Sequence, residues 1–160
     1  MEPMKRIGVL ALLAVLCVGA APADTPTRED EKLLLEVGKR MLQYQKQHRT
    51  QWPAYTCAWY VTGSMDETLV RVEDLRPLSP FLLRQLRQHQ RDLRQCMDTT
   101  IEGLFGGTDV VLFLGPVEWE KPSRDASVGC GIGHPTAGRA CYSAHRGFLG
   151  RWKLTGVVQL

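Results

Sequence analysis

Four residues near the carboxyl end of the chain repeat one spacing that could support chemistry. Cys130 and His134 are four positions apart, and so are Cys141 and His145, in the segment CGIGHPTAGRACYSAH. Cysteine sulfur and histidine nitrogen are both ligands of tetrahedral Zn²⁺, and a thiolate beside a base could act as a nucleophile. The two cysteines could also form a disulfide. The choice depends on the compartment in which the protein works and on the elements that hold this segment.

The amino-terminal residues indicate that compartment. A basic pair, Lys5 and Arg6, precedes an apolar run that ends near Ala21, and small residues follow up to Ala23. This order is typical of a secretory signal peptide, and the run is shorter than the roughly 20 apolar residues of a membrane span. We therefore expect residues 1–23 to be removed, no membrane anchor to remain, and the protein to be periplasmic or secreted.

The remaining residues, 24–160, have the size of a single domain with a core of its own. The formal charge of the chain is +3, and removal of the leader lowers it by one. A charge so close to neutral in an exported protein disfavours nucleic acid as a partner.

Export also changes how the cysteines are interpreted. Cys57, Cys96, Cys130 and Cys141 remain after cleavage, and an even number in an oxidising compartment favours two disulfides. Proximity along the chain favours Cys130 with Cys141, which leaves Cys57 for Cys96. The glycines of CGIGH disfavour the helical turn that would bring Cys130 and His134 onto one face. We therefore predict a disulfide-bridged loop, with no metal, no cofactor and no catalytic cysteine.

The first part of the mature chain predicts a helix and a β-hairpin. Thr27 and Asp30 have the spacing of a capping box, and an apolar stripe follows at helical intervals: Leu34, Val37, Met41, Tyr44 and His48. Alternation from Tyr55 to Thr62 then predicts a strand, and the segment TLVRVEDL predicts its returning partner.

A long second helix is predicted after this hairpin. Ser79 is a good cap, Pro80 suits the first helical position, and Gly106 and Gly107 would end the helix. The predicted apolar stripe contains Leu82, Leu86, Leu93, Met97, Ile101 and Leu104, with Cys96 at its edge. At about 100° per residue, four arginines fall in one sector of a neighbouring face. This predicted arginine ridge consists of Arg84, Arg87, Arg91 and Arg94.

Further strands complete the predicted fold. The segment TDVVLFLGPVEWE predicts a buried strand that is ended or bulged at Gly115 and Pro116, and WKLTGVVQ predicts a terminal strand. The segment KPSRDASVG and the stretch between Cys130 and Cys141 are predicted to be loops. Together these elements predict an α+β fold, in which two amphipathic helices pack on a mostly antiparallel sheet that disulfides staple.

The sequence favours a binding or inhibitory role toward an envelope protein partner. A bridged loop is ordered before it docks, so it loses less conformational entropy on binding. The loop tip GIGHPTAGRA would offer His134 and Arg139 as polar contacts, with Pro135 limiting its flexibility. The arginine ridge is the second predicted surface. In organisation, though not in any motif, the chain resembles bacterial envelope inhibitors and immunity proteins.

Two other roles remain open. The paired carboxylates Glu118 and Glu120 could serve a small hydrolase, as paired carboxylates do in glycoside cleavage, and Ser143 with His145 is a weaker pair. The chain contains none of the common nucleophile-elbow, metal-helix or phosphate-loop motifs, which disfavours an enzyme. A purely structural envelope component has the same support as a binding protein.

Overall fold

The computed structural model describes residues 25–51, 53–63, 70–97, 109–120, 125–133, 138–147 and 149–159, without the side chains of 132, 133, 138–141 and 157–159. Within these ranges the chain forms two helices and seven strands. In chain order they are α1 (Arg28–Gln47), β1 (Cys57–Val61), β2 (Leu75–Arg76), α2 (Pro80–Arg87), β3 (Arg94–Gln95), β4 (Val111–Glu120), β5 (Asp125–Gly133), β6 (Gly138–Arg146) and β7 (Trp152–Gln159).

The strands form one sheet in the order β2–β1–β4–β5–β6–β7, and β3 pairs with the side of β1 that also carries β2. Strand β1 is parallel to β3 and β4, whereas every other pair is antiparallel. The predicted α+β fold, with two helices and a mostly antiparallel sheet, is therefore confirmed.

Helix α1 begins where the capping box predicts. The Thr27 hydroxyl accepts a hydrogen bond from the Asp30 main-chain N–H at 3.2 Å, and the Asp30 carboxylate accepts one from the Thr27 N–H at 2.9 Å. The helix buries a stripe against the sheet: Leu33, Leu34, Val37, Met41 and Leu42. A Cβ atom at Gly38 would lie 2.7 Å from Leu86 Cδ2, so the absence of a side chain there lets α1 and α2 approach closely.

Helix α2 is much shorter than predicted. It begins as expected, with the Ser79 hydroxyl accepting from the Leu82 N–H and Pro80 in the first position, but it ends at Arg87 instead of the glycine pair. The apolar stripe misled the prediction because Leu82, Leu86 and Leu93 are buried in either arrangement. After the turn, the chain extends and pairs with β1, whose main chain on that side would otherwise have fewer partners. Met97, predicted in the stripe, is exposed, and residues 98–108 lie outside the described ranges.

Two other predicted segments also differ. The returning strand of the first hairpin is reduced to β2, because Val72–Asp74 forms a 3₁₀ turn. The predicted loops that follow β4 are strands β5 and β6 of a long hairpin, so Cys130 and Cys141 lie in strands rather than at the ends of a loop. Glycine is required where β5 passes the bulge of β4, since a Cβ at Gly129 of β5 would lie 2.7 Å from the Gly115 carbonyl oxygen of β4. The register shift beside Gly115 and Pro116 confirms the predicted bulge.

The two faces of the sheet are different. One face packs on the helices and forms the larger core, to which β4, β5 and β6 contribute Leu112, Leu114, Ala126, Val128, Cys130, Tyr142 and Ala144. The opposite face is apolar only around β1 and the start of β4, where a second buried cluster contains Cys57, Trp59, Val61, Leu75, Cys96, Val111 and Phe113. Toward β7 this opposite face becomes polar, as is common for an antiparallel sheet with one face toward water.

Candidate binding groove

The four arginines of the predicted ridge do not share one helical face. Arg84 and Arg87 are on α2, Arg91 is in the turn that follows, and Arg94 is on β3. The Arg87 guanidinium donates to the Leu93 carbonyl at 2.7 Å, and Arg94 pairs with the Asp109 carboxylate at 2.7 Å. The geometric premise of the ridge is therefore wrong, because it required the helix to continue beyond Arg87.

The predicted loop tip lies mostly outside the described residues. His134 and Pro135 lie outside the described residues, and Arg139 is described only as a β6 backbone position opposite Gly131. The predicted contacts of this tip with a partner remain predictions.

The cysteine predictions are confirmed for one pair. Cys57 of β1 and Cys96, which directly follows β3, form a disulfide with a Cα–Cα distance of 4.9 Å. In the β5–β6 ladder, Cys130 is opposite Ala140 and Cys141 is opposite Gly129. A direct bridge between them would therefore need the register to shift by one residue, because successive residues of a strand lie on opposite faces. The second disulfide remains a prediction.

The metal alternative depends on the same segment. In the described part of the chain, no three His, Cys, Asp or Glu side chains converge as metal ligands would. His134 and the side chain of Cys141, which form half of the doubled motif, lie outside that part.

The carboxylates of the hydrolase alternative lie on the polar face. Glu118 is opposite Ser127 and Glu120 is opposite Asp125, and both glutamates are exposed. His145 contacts the Asp125 carboxylate through Nδ1. These side chains follow a sheet surface, and neither glutamate lines any of the cavities described below. This geometry does not favour acid–base catalysis, which needs groups that converge on a substrate.

A concave site occurs on the helix-covered face, where two tryptophans meet across the sheet. Trp119 of β4 and Trp152 of β7 have ring centroids 5.5 Å apart with a tilt of 52°. Two strands separate them, and these strands contribute Ala126 and Ala144, whose small side chains leave room for the rings. The Trp119 indole N–H donates to Asp30 at 2.6 Å, so the capping residue of α1 also positions this ring.

Trp152 lines three cavities that follow α1 along β7. The first, of about 360 Å³, lies between Glu29, Trp119, Arg146 and Trp152. The second, of about 530 Å³, extends past Lys32 and Glu36 to the turn before β7, and the third, of about 440 Å³, continues past Arg40 and Lys46 to His89. Because they share lining residues, we treat them as one surface and call it the α1–β7 groove.

The groove is electropositive. Among the described residues that line it, the acidic ones are Glu29 and Glu36, and the basic ones are Lys32, Lys39, Arg40, Lys46, Arg146 and Arg151. Both carboxylates are already paired, Glu36 with Lys39 at 2.9 Å and Glu29 with Arg146 at 3.7 Å.

The remaining cations of the groove are not neutralised by carboxylates. Among the described residues, no carboxylate lies within ion-pair distance of Lys32, Arg40 or Arg151. The Arg146 guanidinium lies 5.8 Å from the centre of the Trp152 ring, within the range of a cation–π contact. The groove therefore combines an aromatic surface with positive charge that a ligand could neutralise.

The groove borders an open edge of the sheet. Strand β7 pairs with β6 over its whole length of 8 residues, and no strand in the described ranges pairs with its other side. The Tyr142 ring of β6 lies against Gly156 of β7, where a Cβ would be 2.3 Å from Tyr142 Cδ1. This contact anchors the edge strand to the helix-covered core.

Buried phenols lie behind the groove. Burial raises the pKa of Tyr142, the neighbouring Cys130 raises it further, and Arg40 opposes the shift. Burial also raises the pKa of Tyr55 far above its ordinary range, and its hydroxyl has no hydrogen-bond partner among the described residues. These phenols therefore stay neutral at physiological pH and act as core side chains.

Sequence reasoning did not identify the groove. The sequence pattern gave only an apolar stripe for the first helix and placed Trp152 in a terminal strand. A tryptophan near the start of a terminal strand was the available signal, but its partner Trp119 is recognisable only once the register across β4 to β7 is known.

Comparison with known protein families, curated proteins and solved structures gave no match. Neither helix in the described part of the chain combines the length and apolar content needed to cross a membrane.

Proposed function

We propose that this chain is an exported binding protein that holds part of an envelope protein partner in the α1–β7 groove. The observation that carries the proposal is that one partly exposed tryptophan, Trp152, lines all three cavities beside a strand edge that no strand in the described ranges covers. Tryptophan and arginine side chains in concave, well-packed positions contribute most of the binding energy in many interfaces. Trp152 with Arg146 above its ring has this character.

The rest of the fold supports a preformed site. The groove is built on α1 and β7 rather than on long loops, and the Asp30 carboxylate links the cap of α1 to the Trp119 ring. A site that is ordered before binding loses less conformational entropy when the partner docks. The leader pattern and the Cys57–Cys96 disulfide support export to an oxidising compartment.

Site-specific crosslinking tests this function. A photo-reactive phenylalanine analogue is placed at Gln43, which is exposed in the groove, or at Phe81, which is exposed at the start of α2 and lines none of the three cavities. We expect the Gln43 position to crosslink to one envelope protein, and Trp152→Ala in the same chain to abolish that product. The Phe81 position is the matched control, since it is exposed but lies neither in the groove nor on β7.

Two outcomes would contradict the proposal. One is equal crosslinking from both positions, and the other is a Gln43 product that is unchanged by Trp152→Ala. The predicted hairpin tip is tested in the same assay with His134→Ala and Arg139→Ala. Loss of the crosslink in these variants alone would move the binding site from the groove to the tip.

A further inference from the structure

We infer that the ligand of the α1–β7 groove is an extended, acidic segment of polypeptide that adds to the sheet as a strand along β7. This inference rests on the proposed function and names the chemistry of the partner. It combines the edge of β7, which is unpaired within the described ranges, with the position of the cations on α1 and the exposed part of Trp152.

The open side of β7 can form hydrogen bonds with the main chain of another segment. An edge strand leaves a row of N–H and C=O groups toward its open side, and another extended segment satisfies them by pairing. Strand β7 offers 8 residues of such an edge. It is held in place by its ladder to β6 and by the Tyr142 ring against Gly156, so pairing needs no rearrangement of the core.

The side chains of an added strand would meet the positive charge of the groove. Successive side chains of a strand point to opposite faces, so alternate residues of the ligand would enter the groove between β7 and α1. There they would meet cations on the exposed side of α1, among them Lys32 and Arg40, which have no carboxylate partner among the described residues. Carboxylates at alternate positions complement this charge, whereas lysine or arginine would be repelled.

The Trp152 ring offers a contact surface for one residue of the added strand. Trp152 lines each of the three cavities of the groove, and Arg146 lies over its ring. One of the inward-facing ligand residues would therefore lie against this ring. An apolar or aromatic side chain at that position buries area on the indole, and a carboxylate nearby could pair with Arg146. The expected ligand thus has acidic residues at every second position around one apolar residue.

A second copy of this chain is a less suitable occupant. Two β7 edges that paired with each other would bring two electropositive grooves together, and like charges oppose such an interface. A polyanion without a polypeptide main chain would satisfy the cations but not the strand edge.

The experiment begins with a selection. Random peptides of 8 residues, the length of β7, are displayed on phage and selected on the purified, oxidised chain. We expect the enriched peptides to be acidic at alternate positions. The best peptide is then synthesised with a fluorophore, and its Kd is measured by fluorescence anisotropy.

Charge variants test whether the acidic side chains of the peptide pair with the cations of the groove. Lys32→Gln with Arg40→Gln should raise the Kd by about tenfold, because it removes two exposed groove cations that the acidic peptide would neutralise. The matched control is Arg84→Gln with Arg91→Gln, which removes the same charge from exposed positions outside the groove and should leave the Kd unchanged. Higher salt should weaken wild-type binding more than binding to the groove variant.

An N-methyl scan of the peptide tests whether its main chain forms hydrogen bonds with β7. Each backbone N–H of the peptide is methylated in turn, which removes one donor. In a strand added to an edge, alternate N–H groups point toward that edge, so binding should be lost at every second position and kept at the others. A peptide held by side chains alone would not show this alternation.

Several outcomes would overturn the inference. These are enrichment of basic or neutral peptides, uniform tolerance of N-methylation, failure to enrich any peptide, and light scattering that shows a β7-dependent dimer. All of them leave the proposed function standing if the Gln43 crosslink to a partner still depends on Trp152. Absence of that crosslink is instead the failure of the proposed function itself.

Discussion

The two edges of the sheet are built in opposite ways. At one edge, β1 is covered by two strands of two residues each, β2 and β3, and a disulfide locks Cys57 to Cys96. Side chains close the remaining positions: Gln95 donates to the Ala58 carbonyl at 3.1 Å and accepts from the Leu78 N–H at 2.8 Å. At the other edge, β7 presents 8 residues without a partner strand in the described ranges.

This difference shows where the molecule resists pairing and where it permits it. Short, side-chain-covered edge strands are a common protection against edge-to-edge association. The closed edge has this protection, and the Arg94–Asp109 ion pair adds to it. Strand β7 has one protective feature among its described side chains, the exposed Lys153, and it borders a groove. We propose that this edge, which no strand in the described ranges covers, serves the ligand of the groove.

The largest expected effect comes from opening the closed edge. Cys57→Ala with Cys96→Ala removes a cross-link between residues 39 positions apart. We expect the free energy of unfolding, measured by urea titration, to fall by about 4 kcal/mol, mainly because the unfolded chain regains entropy. A reductant should have the same effect on the wild-type protein and much less on the double variant. An unchanged urea midpoint would show that hydrogen bonds alone hold this edge.

The next effect concerns pH at the residue that leads into β1. Burial raises the pKa of Tyr55 above its ordinary value of 10.0, so the neutral phenol is favoured in the folded state. The unfolded chain releases this proton near pH 10 and the folded chain only at higher pH, so the contribution is intact below pH 10 and is lost as pH rises above it.

We therefore expect Tyr55→Phe to lose less stability than the wild-type protein between neutral pH and pH of about 11, as measured by urea unfolding at each pH. Its stability at neutral pH should be nearly unchanged, because the hydroxyl has no hydrogen-bond partner among the described residues. Parallel loss of stability in both proteins would contradict the burial of this phenol.

A smaller effect is expected from crowding the open edge. Gly156→Ala would place a Cβ 2.3 Å from the Tyr142 ring, which must then move from its place in the core. We expect a loss of about 1–3 kcal/mol in thermal or urea unfolding, as is usual for overpacking. Gly147→Ala is the control within the same hairpin, because among the described atoms its added Cβ would lie nearest to the Arg151 carbonyl oxygen, at 3.4 Å. Equal losses in both variants would mean that the Tyr142 contact does not secure β7.

The smallest effects compare single charges at the two edges. Asp109→Asn removes the negative charge of a side chain that accepts hydrogen bonds from both Arg94 and Thr56. We expect the free energy of unfolding to fall by up to about 1 kcal/mol. Arg40→Gln in the groove should change stability by less than about 0.5 kcal/mol, since no carboxylate in the described ranges pairs with it. If Arg40→Gln were the more destabilising change, the groove charge would serve the fold rather than a ligand.

Local signals in the sequence predicted the elements that depend on near neighbours. The capping box at Thr27, the cap and proline that start α2, and the bulge at Gly115 all appear where expected. Each of these depends on interactions within a few residues, so the relevant chemistry is present in the sequence.

The errors occurred where a distant segment decided the outcome. The stretch after Arg87 has a helical pattern, yet it extends because β1 offers main-chain partners and Cys57 offers a disulfide. The segment around Cys130 has a loop-like composition, yet it forms a strand because β4 and β6 pair with both of its sides. Propensity is a weak guide in such places, since tertiary hydrogen bonds and burial outweigh it.

The sequence by itself determined the α+β class and the start of the first helix, because periodicity and capping are local properties, and the spacing of the cysteines favoured the pairing of Cys57 with Cys96. Only the tertiary structure decided that Trp119 and Trp152 meet, that α1 turns its cations toward β7, and that this strand is left at an edge. These facts depend on strand order and register, which are set by long-range pairing across the whole sheet and have no signature in any single segment.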